Sequence, residues 1–290
     1  MSVNPILVIL VGLAYGAVLF LIASGLSLVM GLMGIVNMAH GATLVWGGYV
    51  GITVANETGN YLYGILAGMF ASGTLGLLIE RGFLRGLYKK PLEQILITFG
   101  FVYMLTNTAV WIWGGGAMSP IVPSFLGGHI NVGGSPFPVV RLFVIGFGLV
   151  LALGLWWLQD RTRVGAIVRA GMDDAEMVEG SGINLTPITV GVFFFSTLIG
   201  GLAILVGGPV MERVWILFNT DILWLALSVV IVGGMGSIQG ALVGALLIGM
   251  ADTVGKMYFQ GIAVYVPYAL VILVLIIRPS GLMGKARSRV

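Results

Sequence analysis

Cysteine is absent from the 290 residues, which removes any disulfide framework and any thiolate metal site. Charge is nearly as scarce. Asp, Glu, Lys and Arg make up 9% of the chain, against roughly 25% in soluble domains, and none occurs before Glu57. His40 stands without acidic residues at ligand spacing and His129 stands alone; neither an HExxH pattern nor a nucleophile elbow is present. GLMGKA, ending at Ala286, resembles a phosphate loop only superficially: Pro279 occupies the place of the first glycine and no Ser or Thr follows Lys285. GGMGSIQG lacks dinucleotide-fingerprint spacing. The chain is therefore expected to bind no nucleotide, metal or other cofactor itself. Too few ionisable residues fall inside apolar stretches for a proton relay, which argues against an ion-coupled carrier.

What is present is hydrophobic. At 58% apolar residues and a mean hydropathy of +1.07, the chain reads as a polytopic, all-α membrane protein. The net charge of +3 comes from basic residues near membrane ends, so it concerns topology rather than nucleic acid. The opening residues lack a basic n-region, and they read as the start of a first span rather than as a signal peptide. Glycine, with 46 residues, is present at twice the usual share of about 7%. Pairs such as Gly12/Gly16, Gly47/Gly51, Gly64/Gly68 and Gly240/Gly244 have the spacing that lets helix backbones approach closely in lipid.

Hydropathy divides the chain into nine segments: 5–24, 37–55, 62–84, 94–113, 140–159, 188–206, 222–235, 240–254 and 265–277. Two joints, one running from Gly25 to Gly41 and the other through GGMGSIQG, are weakened by glycine. Read as re-entrant hairpins, they would reduce the crossings to seven. The whole chain reads as one permease-like domain: a half over 1–159, a charged loop over 160–187 and a half over 188–290. Arg81, Arg85, Lys89 and Lys90 crowd one short loop, and Lys285, Arg287 and Arg289 the tail, which places both in the cytoplasm and the N-terminus outside. Glu57, Gly128 and the Gly/Pro-rich loop after Trp113 then face outward, as does the loop carrying Glu212 and Arg213.

The charged loop, DRTRVGAIVRAGMDDAEMVEGSGINLTP, carries eight charged side chains between two apolar blocks. Within it, MDDAEMVEGSG predicts a short helix capped by Asp173 and Asp174, with Glu176 completing a capping box and Gly180 or Gly182 ending the turn. Such a helix could dock a soluble partner or merely connect two spans. Arg169 could pair with the neighbouring acids or with a partner. The stretches from Leu26 and from Leu227 share an LS start, an MG break and a following GA, a faint repeat of the kind found where discontinuous helices meet. It draws attention to Asn37, His40 and Gln239, which could line a path or simply hydrogen-bond between helices. Asp252 and Lys256 read as an ion pair at a helix end.

Three motifs together carry a resemblance. GLSLVMGLMGIVNMAHGATLVWGGYVG, RAGMDDAEMVEGSGIN, and GGMGSIQGALVGALLIG with the closing RPSGLMG resemble, in order and over nearly the whole chain, the permease subunits of the branched-chain amino-acid ABC transporter family. The resemblance implies a bundle of about eight to nine transmembrane helices with Gly-broken or re-entrant segments and a cytoplasmic coupling helix. It further implies a bacterial inner-membrane subunit that catalyses no reaction itself and has three kinds of partner: a second related permease, two ATPase subunits binding ATP and magnesium, and a periplasmic binding protein. Expected path residues are Gly34, Asn37, His40, Gly41 and Gln239. Expected ATPase-coupling residues are Arg169, Ala170, Asp173, Asp174, Glu176, Glu179 and Gly182. Ala42 stands where family members often carry an acid, which leaves the substrate open among branched-chain or other hydrophobic amino acids, amides and urea. A self-sufficient channel or facilitator is the alternative.

Overall fold

The computed structural model describes residues 4–34, 37–88, 90–120, 122–211, 214–216 and 219–284. Lys89, Glu212, Arg213, Lys285, Arg287 and Arg289 lie outside the described residues. Eleven α-helices are present among those described: α1 Pro5–Met33, α2 His40–Thr58, α3 Tyr61–Ile79, α4 Pro91–Trp113, α5 Val139–Arg161, α6 Arg163–Asp173, α7 Ala175–Gly180, α8 Leu185–Met211, α9 Asn219–Gly233, α10 Ile238–Tyr258 and α11 Tyr265–Ile277. A two-stranded antiparallel hairpin, β1 His129–Val132 and β2 Ser135–Pro138, precedes α5.

All nine apolar segments of the sequence are helical, but six helices are long and apolar enough to cross a membrane: α1, α3 with its continuation to Leu87, α4, α5, α8 and α10. The shorter apolar helices α9 and α11 are too short by that measure. Helices α2 and α9 also start differently from the long ones. Helix α2 does not resume where α1 ends. Its first residue, His40, donates from Nε2 to the carbonyl of Ile22 at 3.1 Å, about three turns back along α1. Helix α9 begins at Asn219, whose Nδ2 donates to Thr106 Oγ1 at 2.7 Å, about two turns inside the end of α4. Both helices thus start part-way along their neighbours, and their first turns touch: a Cβ on Gly41 would fall on the Asn219 carbonyl.

The two ends of the bundle differ. One carries the hairpin, near which α1 begins and α5 starts. At the other, α6 packs against the last turn of α1, with Gly171 against Leu32 and Leu185, and α7 packs on α6 and α8. Thr162 caps α6 by accepting from the Gly165 amide at 3.1 Å. Glycine works as the sequence indicates where helices cross closely. Gly47 and Gly68 present backbone to one another between α2 and α3, and Gly16 meets Gly249 between α1 and α10.

The repeat read from the sequence is half right. The breaks do lie together, since Gly31 of α1 packs on Gly236 in the α9–α10 turn, and Gly34, Gly234 and Gly236 all take positive φ. The helices that follow differ: α10 resumes at once from a Ser237 cap, whereas α2 starts three turns away. The nearer counterpart of α1–α2 is α8–α9, in each case a long helix followed by a short one that begins part-way along the bundle.

Candidate functional site

The α9–α10 turn is the point on which the surrounding chain converges. The Gly236 amide donates to the Ser27 carbonyl of α1 at 3.1 Å. Gln159, in the last turns of α5, donates from Nε2 to the Gly236 carbonyl at 2.8 Å and accepts at Oε1 from the Ile238 amide at 3.4 Å. The chain after α11 closes the same turn from beneath, where Leu282 and Met283 donate to the carbonyls of Val232 and Gly233 at 2.8 and 3.0 Å. Those are acceptors that the end of α9 leaves orphaned, so the RPSGLMG motif serves as a cap supplied from elsewhere in the chain. Leaving such buried groups unmade would cost about 1–3 kcal/mol each.

A cavity of about 860 Å³ opens beside this turn. Of the expected path residues, Gly34 and Gln239 line it; of the expected coupling residues, Arg169 and Asp173 do. Two residue sets with different expected roles therefore share one cavity. Met30, Met172, Met235 and Met283 form much of its apolar wall, and methionine is the side chain that adapts most readily to a changing shape.

Asn37, His40 and Gly41 are not part of that cavity. Asn37 is buried at 3% exposure and accepts from the Ala39 amide at 3.0 Å, forming the turn that opens α2. His40 is 1% exposed and is held to Ile22. Gly41 lies against the Asn219 backbone. Within this chain the three residues fasten the start of α2.

The charged loop is two helices rather than one. The cap of the second is Asp174, whose Oδ1 accepts from the Met177 amide at 2.9 Å; Asp173 is the last residue of α6. Glu176 consequently sits one position too early for a capping box. Gly182 ends the turn at φ +88°, in the left-handed region the sequence led one to expect. Arg169 pairs with Asp160 at the end of α5, at 3.3 Å. That pair is about two-fifths exposed on each side and contributes little to stability. Between α6 and α7 runs a groove of about 540 Å³ in which Ala170, Ile167, Met177 and Val178 form an apolar floor beside Asp173 and Asp174. Met177 is 76% exposed, and Glu176 and Glu179 stand on the exposed side of α7.

Sequence reasoning missed Gln159 and Asn219. Each is a polar residue at the edge of an apolar run, and without the fold nothing distinguishes such a residue from an ordinary helix end.

A family model described as the branched-chain amino acid transport system permease component matches residues 8–277. The chain belongs to that family. It is 28% identical to the high-affinity branched-chain amino acid transport system permease protein BraD of Pseudomonas aeruginosa and to LivH of Escherichia coli K12, in each case over 94% of both chains. It is also 28% identical to the fructose import permease protein FrcC of Rhizobium meliloti, over 54% of this chain and 44% of that one. No solved structure matches. The chain is a multi-pass membrane permease of the ABC transporter class, as the three sequence motifs indicated.

Proposed function

We propose that this permease is the membrane subunit of an ATP-driven importer for branched-chain or other hydrophobic amino acids in the bacterial inner membrane. A second related permease completes the pore, a periplasmic protein delivers substrate, and two ATPase subunits bind and hydrolyse ATP with magnesium. This chain is not an enzyme. The observation that supports the reading best is the mechanical continuity at one end of the bundle. The exposed groove of α6 and α7 is tied through Gln159 to Gly236, and Gly236 is tied through its amide to α1. A motor seated on α6 and α7 through Ala170, Asp174, Glu176 and Glu179 thereby acts on both glycine breaks beside the cavity, shifting it between outward- and inward-open states.

Sidedness follows from charge. Among the described residues, Arg81, Arg85, Lys90, Arg161, Arg163, Arg169 and Arg278 cluster at the α6–α7 end, and only Arg141 and Lys256 lie toward the hairpin. This supports a cytoplasmic α6–α7 end and an outward-facing hairpin. It also supports counting α2, α9 and α11 with the six long helices, α2 and α9 as partial crossings and α11 as a short full one. Alanine at position 42 leaves the choice among amino acids, amides and urea to the binding protein.

The test is reconstitution of the complete complex in proteoliposomes with leucine as probe. Uptake that needs ATP and the binding protein is expected. Leucine equilibration by this chain without ATP would establish the facilitator reading instead.

A further inference from the structure

Helix α9 has one face that the family assignment does not explain. Asp221, Trp224, Ser228 and Ile231 recur at three- and four-residue spacing, and Met235 in the following turn extends the line into the 860 Å³ cavity. Asp221 is exposed, Trp224 is 50% exposed and Met235 56%. Ser228 is buried, with its hydroxyl donating to the Trp224 carbonyl at 2.8 Å.

Asp221 is the informative member. It lies two residues after Asn219, which is bonded to Thr106 about two turns inside the end of α4, so its carboxylate sits within the thickness spanned by the long helices. A carboxylate at a helix centre in lipid costs about 2.5–3.5 kcal/mol even on insertion scales, and its side chain is too short to reach the interface as a lysine would. It has no basic partner among the described residues. The neighbouring acid does: Asp252 of α10 is paired with Lys256 at 2.6 Å, and that ammonium lies 5.0 Å from the Tyr15 ring centre. Tyr15 of α1 and Tyr268 of α11 are both within electrostatic reach of Asp221 and of Asp252. Among the described residues, Asp221 is thus a carboxylate without an ion-pair partner on an open face, within electrostatic reach of the tyrosine ring that already holds one ammonium group.

Building on the importer reading, we propose that this face of α9 is a wall of the translocation path and that Asp221 receives the α-ammonium group of the amino-acid substrate as it passes toward the cavity. Trp224 and the two tyrosines accompany the cation and the apolar side chain. The path then runs along the outside of this chain, toward a partner subunit, rather than through the packed start of α2.

Two measurements on the reconstituted complex decide it. In the first, Asp221→Asn is expected to lower ATP-driven leucine uptake by about tenfold or more while ATPase subunits still copurify, and Asp221→Glu to keep it within about threefold. In the second, single cysteines at 221, 224, 231 and 235 are expected to react with a charged, impermeant thiol reagent. Cysteines at 272 and 276 on the apolar outer face of α11, where Ile272 and Ile276 are 60% and 77% exposed, are expected not to react. Parental uptake by Asp221→Asn, or reactivity at 221 and 224 no greater than at 272 and 276, overturns the proposal. A parental complex with no ATP-driven uptake defeats the importer reading, and the labelling contrast between α9 and α11 still decides whether the face is aqueous.

Discussion

Gln159 grips the α9–α10 turn on either side of Ser237, donating to the Gly236 carbonyl at 2.8 Å and accepting from the Ile238 amide at 3.4 Å. A single side chain at the end of α5 thus connects the helices α6 and α7 to the glycine break that borders the cavity. Replacing it with Met keeps the volume and removes both bonds, so the expected result is a complex that assembles but hydrolyses more ATP per leucine transported, with a stability loss of about 1–3 kcal/mol. Paired uptake and ATP-hydrolysis rates in proteoliposomes measure the ratio, and a parental ratio would show that the turn is held by other contacts.

Gly41 is expected to tolerate no side chain. Its ideal Cβ would overlap the Asn219 carbonyl, so even Gly41→Ala must part the starts of α2 and α9, at about 1–3 kcal/mol of overpacking. Gly41→Leu should therefore lose assembled complex along with transport, which reverses the expectation that glycine at this point simply leaves room for substrate. Size-exclusion yield and melting temperature of the detergent-solubilised complex separate the two: full assembly with blocked uptake would put Gly41 back in the path.

At Gly182 the surroundings are open, with no atom within 4 Å of an added Cβ, and only the φ of +88° resists substitution. Gly182→Val should consequently disturb the exit from α7 without a clash, whereas Gly182→Asn, which accepts left-handed geometry more readily, should be milder. Substrate-stimulated ATP hydrolysis is expected to vanish in the first and to persist in the second. Equal activity in both would mark the turn as a passive linker.

The absence of cysteine allows topology to be measured directly. Single cysteines at Glu57 and Gly128 are expected to react with an impermeant reagent in intact cells, and those at Arg85 and Lys89 only after lysis. Labelling of position 85 or 89 from outside would invert the assignment of ends.

The sequence made the helices legible because membrane spans announce themselves by composition alone, and the nine apolar segments all became helices. It also located both glycine breaks, since a positive φ leaves a residue signature. It could not disclose how far α2 and α9 travel back along the bundle. That distance depends on bonds such as His40 to Ile22 and Asn219 to Thr106, which join residues far apart in the chain and obey no local pattern. Asn37, His40 and Gly41 stand out in the sequence because they are polar or small in an apolar setting, and in the structure the same properties hold the start of α2. The capping-box spacing from Asp173 to Glu176 points to Asp173 as the cap of α7, whereas the Met177 amide bonds Asp174, one residue further on.

The carbonyls of Val232 and Gly233 wait for donors that lie some fifty residues further along, at Leu282 and Met283. During synthesis, α9 emerges and enters the bilayer with that end still open, and it is sealed only after every other helix described here has left the ribosome. A chain cut before Leu282 would therefore keep α9 but leave the carbonyls of Val232 and Gly233 without the donors that close the turn.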